Sequence, residues 1–213
     1  MPPRELKHDA LGTTRLVDDG VAATIERDTR TARRGLRWLA RRLAAREAAA
    51  LRALGSVPAG VPRLIGFDGR VLRRSALPGQ PLFAGEAPSH AFFVRALRLV
   101  RELHRAGVAH NDLAKEANWL NALGDVPGLV DFQLAVRSQR RGRWFRYLAH
   151  EDLRHLLKHK QTYLPSSLTA RQRRMLATPP WPTLLWRRWW KPAYQAFTRS
   201  VLGWRDRAGP IER

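Results

Sequence analysis

The sequence predicts an α+β chain in which short strands gather around amphipathic helices, and three observations carry that expectation. Residues 5–28 and 61–75 each read as a strand pair around an Asp-Gly turn. Residues 33–54 and 89–106 repeat apolar side chains at three- and four-residue steps, the period of a helix with one buried face. Between them and the C-terminus, a polar stretch HNDLAKEANWL (His110 to Leu120) leads through a hairpin-like run into LVDFQLA (Leu129 to Ala135), an apolar run broken by Asp131.

Composition bounds the possibilities. A chain of 213 residues, 44% hydrophobic and 27% charged, can bury a real core and makes one two-lobed domain or one domain with an appendage. It contains no cysteine, so neither disulfides nor thiolate metal sites are available and a reducing compartment is the simplest home. No apolar run follows the charges of MPPRELKHDA, so no secretory signal is visible and a cytoplasmic location is expected. The formal net charge of +21 calls for a polyanionic neighbour, and nucleic acid, anionic lipid and phosphorylated sugars all qualify. Arginine richness also accompanies high-GC coding. Nucleic acid is disfavoured because it rests on charge alone, without a helix-turn-helix, zinc or RNA-binding signature.

Taken in order, Thr13 to Val17 forms a strand, Asp18 to Gly20 a turn, and Val21, Ala23, Ile25 and Arg27 alternate onto one face of the next strand. Gly12 precedes the hairpin, where a turn is its simplest explanation. No G-x-x-x-x-G-K-[ST] run occurs, which argues against a P-loop nucleotidase. Arg33 to Leu54 is the strongest helical pattern, with Leu36, Leu39, Leu43, Leu51 and Leu54 inward and arginines outward. Glu47 falls on the apolar stripe, where an unpaired carboxylate is costly, so it needs a cation. Arg27, on the apolar-facing side of its strand, is the first candidate and Lys7 the next, since no lysine lies between Lys7 and Lys115. The plainer alternative is that Arg27 and Glu47 serve structure alone or never meet. Val61 to Phe67 and Gly69 to Ser75 read as strands, Leu77 to Leu82 as a loop, and Ser89 to Ala106 as a helix with Phe93, Leu97, Val100 and His104 on one face and Gly107 at its end.

Arg137 to Arg146 is a basic stretch that suits an anionic substrate or headgroup, or a plain solvated face. His150 to Lys160 reads as a helix. His155 and His159 have a metal-chelating spacing there, but no third ligand is evident, so a solvated helix is expected. Leu168 to Ala177 reads as a short helix started by Thr169. From Pro179 to Trp204, five tryptophans stand among Arg187, Arg188, Lys191 and Arg199. Charges interrupt every long apolar run, so the tail suits an anionic membrane interface without spanning it. Packing on the main lobe is the alternative.

The two segments at 110–120 and 129–135 resemble the catalytic loop and metal-binding loop of the protein-kinase-like superfamily, with the closest feel to the RIO-like kinases and the lipopolysaccharide sugar kinases. The general pattern is H-R-D-L-x-x-x-N, then D-F-G after a strand. His110, Asp112 and Leu113 match directly; Asn118 comes one position late, and Gln133 replaces the glycine after Asp131 and Phe132. The resemblance implies a small antiparallel sheet lobe (about residues 1–76) and a helical lobe (about 77–160); residues 161–213 read as a basic, aromatic helical extension with no counterpart in ordinary protein kinases. It implies ATP and Mg²⁺ as cofactors, with Asp112 as catalytic base and Asn118 and Asp131 as metal ligands. Gly12 takes the place of the phosphate-covering loop, and Glu47 pairs with a strand cation at the nucleotide phosphates, either Arg27 or Lys7. The acceptor is then a protein serine or threonine, or a lipopolysaccharide sugar hydroxyl. The late asparagine requires a bulged loop, and the missing glycine a less mobile metal loop. Absence of an A-P-E segment, and Asn111 in place of arginine, argue against control by activation-loop phosphorylation. The rival reading is a catalytically silent kinase-like scaffold at the inner membrane surface.

Overall fold

A computed structural model describes residues 3–18, 20, 22–55 and 59–178. Strands β1 (Arg4–Asp9), β2 (Gly12–Asp18) and β3 (Ala23–Asp28) are followed by two 3₁₀ turns, helix α1 (Arg37–Leu54), β4 (Leu64–Phe67) and β5 (Val71–Ser75). The five strands form one antiparallel sheet in the order β1-β2-β3-β5-β4. The expected β2–β3 hairpin is present, with Thr13 opposite Asp28 and Asp18 opposite Ala23. Strand β1 was not anticipated: RELKHD has no apolar alternation and is exposed along nearly its whole length, as a charged edge strand is. The β1–β2 turn is buried instead, with Leu11 fully enclosed in a cluster with Ala32 and Ala40.

Helix α1 begins four residues later than the periodicity suggests, because Arg34–Leu36 form a 3₁₀ turn. It ends at Gly55, whose φ of 55° lets its N–H cap the Leu51 carbonyl. Beyond it, Asp68 Oδ1 accepts from the amides of Arg70 (2.8 Å) and Val71 (2.7 Å), which closes the turn between β4 and β5.

The second half contains β6 (Gln80–Pro81), α2 (His90–Arg105), β7 (Val108–Ala109), β8 (Trp119–Ala122), β9 (Val126–Leu129), β10 (Val136–Arg137), α3 (Arg143–Tyr163) and α4 (Ala170–Ala177). The expected loop at Leu77 to Leu82 thus holds a short strand, which pairs with β8, itself in a hairpin with β9. Helix α2 is capped by Ser89, whose Oγ accepts from the Ala91 amide at 3.0 Å. Its buried stripe is Phe92, Phe93, Ala96, Leu99, Val100 and Leu103, so His104 stands at the rim. Helix α4 starts with a capping box between Thr169 and Gln172.

The main core joins α2, Leu113, Trp119, Leu129, Phe132 and Leu156, and takes in Ala50, Leu51 and Leu54 from α1, so the two halves share one apolar interior. The expectation of a solvated helix at His150 to Lys160 is overturned: α3 buries Leu148, Glu151, Asp152, Arg154, Leu156, Leu157, His159 and Lys160. Most of these buried polar groups find partners inside the protein, as burial demands, while His150 Nδ1 on the same helix is buried without a hydrogen bond. Arg154 donates twice to Glu151, at 2.8 Å each, and His159 Nε2–H donates to the Leu113 carbonyl at 2.8 Å. Helix α3 continues past residue 160, and Tyr163 Oη donates to the Leu82 carbonyl at 3.3 Å. No described helix is long and apolar enough to cross a membrane. The tryptophan- and arginine-rich tail lies outside the described residues.

Candidate active site

Asp112 stands in the loop after β7, whose backbone is held from two sides. His110 Nε2–H donates to the Val130 carbonyl at 3.0 Å, and its ring lies 4.5 Å from that of Phe132. From α3, Asp152 accepts the backbone N–H of His110 (2.8 Å) and Asn111 (2.9 Å), and His104 Nε2 lies 3.1 Å from the same carboxylate. Asn111 takes the left-handed conformation (φ 62°), which asparagine tolerates better than most residues, and its amide reaches the Leu134 carbonyl at 3.3 Å. Sequence reasoning missed Asp152. The signal was there: Leu148, Asp152 and Leu156 run at four-residue steps, the same stripe logic that singled out Glu47.

The structure brings Asp112 and Asn118 together. A 3₁₀ turn at Glu116–Asn118 absorbs the extra residue, so Asn118 Nδ2 donates to the Asp112 carbonyl (2.8 Å) and to Asp112 Oδ2 (3.0 Å). Lys115, also overlooked, lies 2.9 Å from the same oxygen. Burial pushes the Asp112 carboxyl above the usual carboxylate range; Lys115 opposes that shift and the charge of Asp131 adds to it. Asp131 is in the left-handed region (φ 66°, ψ 66°), an uncommon setting for a non-glycine residue. Phe132 after it is fully buried, and Arg46 Nη2 donates to the carbonyls of Leu134 (3.4 Å) and Ala135 (3.3 Å).

Glu47 is 2% exposed and does have a cation, but it is Arg74 and not Arg27: Arg74 Nε lies 3.1 Å from Glu47 Oε1. The reason is register. Strand β5 inserts beside β3 with Arg74 opposite Ile25 and Arg27 opposite Leu72, and Leu72 packs on Ala44 and Ala48 of α1, which directs Arg74 to the same side. Arg27 still lowers the Glu47 pKa through space, while its own Nε is buried without a hydrogen-bond partner. Burial nevertheless dominates and holds the Glu47 carboxyl above its ordinary range; Asp131 raises it further. Lys7 does not approach Glu47 as an ion pair; it pairs with Asp9 at 2.8 Å on the exposed edge strand. Gly12 has a steric reason of its own, since at φ 123° a Cβ there would sit 2.3 Å from the Asp28 carbonyl oxygen.

Asp131 and Asn118 offer a carboxylate and an amide oxygen, the hard donors that Mg²⁺ selects. Among the described residues no three His, Asp or Glu side chains converge into a closed metal cage.

No protein-family model matches the chain, and no curated protein sequence matches it. In three dimensions it is similar to the crystal structure of the Rio2 kinase from Chaetomium thermophilum, with a TM-score of 0.59 and 14% identity over 81% of this chain and 60% of that one. It is also similar to the Rio2 kinase–ADP/Mg²⁺–phosphoaspartate complex from the same organism, with a TM-score of 0.58 and 15% identity over 82% and 60%. The chain thus spans about three fifths of the length of these kinases. The sheet carrying α1, the loop holding Asp112 and the helical half together form a protein-kinase-like fold.

Proposed function

We propose that the protein is an Mg²⁺-ATP-dependent phosphotransferase acting on a hydroxyl. The observation that supports this most is the meeting of Asp112, Asn118 and the field of Asp131 inside a kinase-like fold. Asp112 receives the proton of the incoming hydroxyl: Lys115 and Asn118 occupy Oδ2, which leaves Oδ1 for the acceptor. A carboxyl displaced upward by burial is a better base than an exposed one. Asn118 and Asp131 would hold Mg²⁺, which when bound supplies neutralisation of charge on the phosphate oxygens. Arg27, two residues from Ile25 on the α1 side of β3, is the cation we assign to the nucleotide phosphates, with Glu47 and Arg74 as its neighbours; Gly12 and Lys7 lie at the β1–β2 hairpin beyond them. The acceptor is a protein serine or threonine or a lipopolysaccharide sugar. A seat at the cytoplasmic face of an anionic membrane follows from the composition of the tail.

Calorimetric titration with ATP, with and without Mg²⁺, tests the reading. Wild type should bind ATP more tightly with the metal, and Asp131→Ala should lose that increment. An unchanged Mg²⁺ dependence would remove Asp131 from the site. A catalytically silent scaffold is the second reading, favoured by the capture of Glu47 by Arg74 in a chain with no lysine on β3. Nucleotide binding without any phosphate transfer or hydrolysis would select it.

A further inference from the structure

Two segments that adjoin in the fold are rich in arginine and contain no acidic residue of their own, although Arg30 at the edge of the first pairs with Asp28 at 2.8 Å. Residues 29–46 contain seven arginines and no acidic residue, and residues 132–150 contain five arginines and none. Arg46 joins them, because its guanidinium reaches from α1 to the carbonyls directly ahead of β10. Arg42 and Trp38 stand one and two turns before it on the exposed side of the helix. Among the described residues Arg41, Arg42, Arg140 and Arg143 enter no ion pair. Each segment also exposes an indole within its arginines: Trp38 is 66% exposed and Trp144 63%.

We propose that this face, made of the outer side of α1 and residues 137–146, docks the protein on an anionic phospholipid surface. An indole held two-thirds exposed is poorly placed in water, but it suits headgroup depth, where its ring meets the acyl boundary while neighbouring guanidinium groups meet lipid phosphate. Each cation near such a surface adds attraction, and neither segment contributes a carboxylate that would be repelled. Binders of single-stranded nucleic acid stack successive bases on a track of aromatic rings; here each segment exposes a single indole. The face uses none of the residues assigned to phosphate transfer and none of residues 179–213.

The absence of cysteine makes the test direct. Single cysteines placed at exposed positions, Ala45→Cys on α1 and Gln139→Cys after β10, and at Leu123→Cys in the turn between β8 and β9 as control, are labelled with a nitroxide. Collision with an aqueous nickel complex is then measured with vesicles of phosphatidylcholine alone and of phosphatidylcholine with phosphatidylglycerol. On the anionic vesicles, accessibility should fall about threefold or more at 45 and 139 and stay unchanged at 123. Replacing Arg41, Arg42, Arg140 and Arg143 with glutamate should lower partition onto these vesicles by roughly tenfold or more. Equal accessibility at all three labels on bound protein would place the contact in the tail and overturn the proposal. So would failure of the wild-type chain to bind the anionic vesicles, or shielding of 45 and 139 by a single-stranded oligonucleotide but not by the vesicles. The label measurement stands even if the charge-reversed variant fails to fold.

Discussion

Arg74 Nε lies 3.1 Å from Glu47 Oε1, so the buried carboxylate of α1 is neutralised from β5, one strand away from the position the sequence points to. The charges meet at ion-pair distance while Glu47 Oε1 has no aligned hydrogen bond, so the contact is mainly coulombic.

Arg74→Met alone should therefore be severe, because it leaves a buried carboxylate with a weaker partner; a cost of about 3–5 kcal/mol is expected. In a urea-unfolding double-mutant cycle with Glu47→Gln, the coupling should be about 0.5–3 kcal/mol. The corresponding Arg27→Met cycle should give a smaller coupling. A larger one for Arg27 would reassign the partner of Glu47.

Asp152 is the anchor of the loop that carries Asp112. Asp152→Ala strands two backbone donors, each worth about 1–3 kcal/mol when left buried without an acceptor. The variant should exchange the amide hydrogens of His110 and Asn111 faster than wild type under native conditions, and phosphate transfer should fall with no contact to substrate removed. Unchanged exchange at those two amides would mean the loop holds itself.

For Asp112 the folded pKa is raised by burial, so its ionised form is disfavoured in the native state. The sign follows: stability is highest below the unfolded value near 3.8 and declines as pH rises through the folded pKa. Asp112→Asn should thus melt higher than wild type at neutral pH, with the difference shrinking as pH falls below the ordinary carboxylate range. If Asp112 is the base, the same variant should lose about 10²–10⁴-fold in phosphate transfer. Retained activity would remove Asp112 from that role.

His155 behaves in the opposite sense. Burial, helped by Lys158, lowers its pKa from 6.5 to about 4. A depressed histidine contributes stability above its unfolded pKa that is lost as pH falls through the folded one, here between pH 6.5 and about 4. His155→Gln should flatten the decline of melting temperature across that window, by up to about 3 kcal/mol at its lower end. A slope identical to wild type would show that the histidine protonates freely in the folded protein.

Local pattern by itself determined the elements whose side chains repeat with a clear period: the β2–β3 hairpin, α1, α2 and the Thr169-capped α4. It also determined the two loops at Asp112 and Asp131, because short polar stretches at set spacing survive any detail of packing. Tertiary structure decided the partners. Nothing local in VLRRS says that β5 enters between β3 and β4, and only that register selects Arg74 for Glu47. Nothing local in HEDLRHLLKHK says that α2, β7 and the loop of Asp112 bring amides and apolar side chains against it, so a helix read as solvated proved to be buried and to hold that loop through Asp152. The physical reason is the same in both cases: a charged side chain is free to be buried wherever the fold supplies its complement, and that complement comes from residues distant in sequence, 27 positions away for Glu47 and about 42 for Asp152.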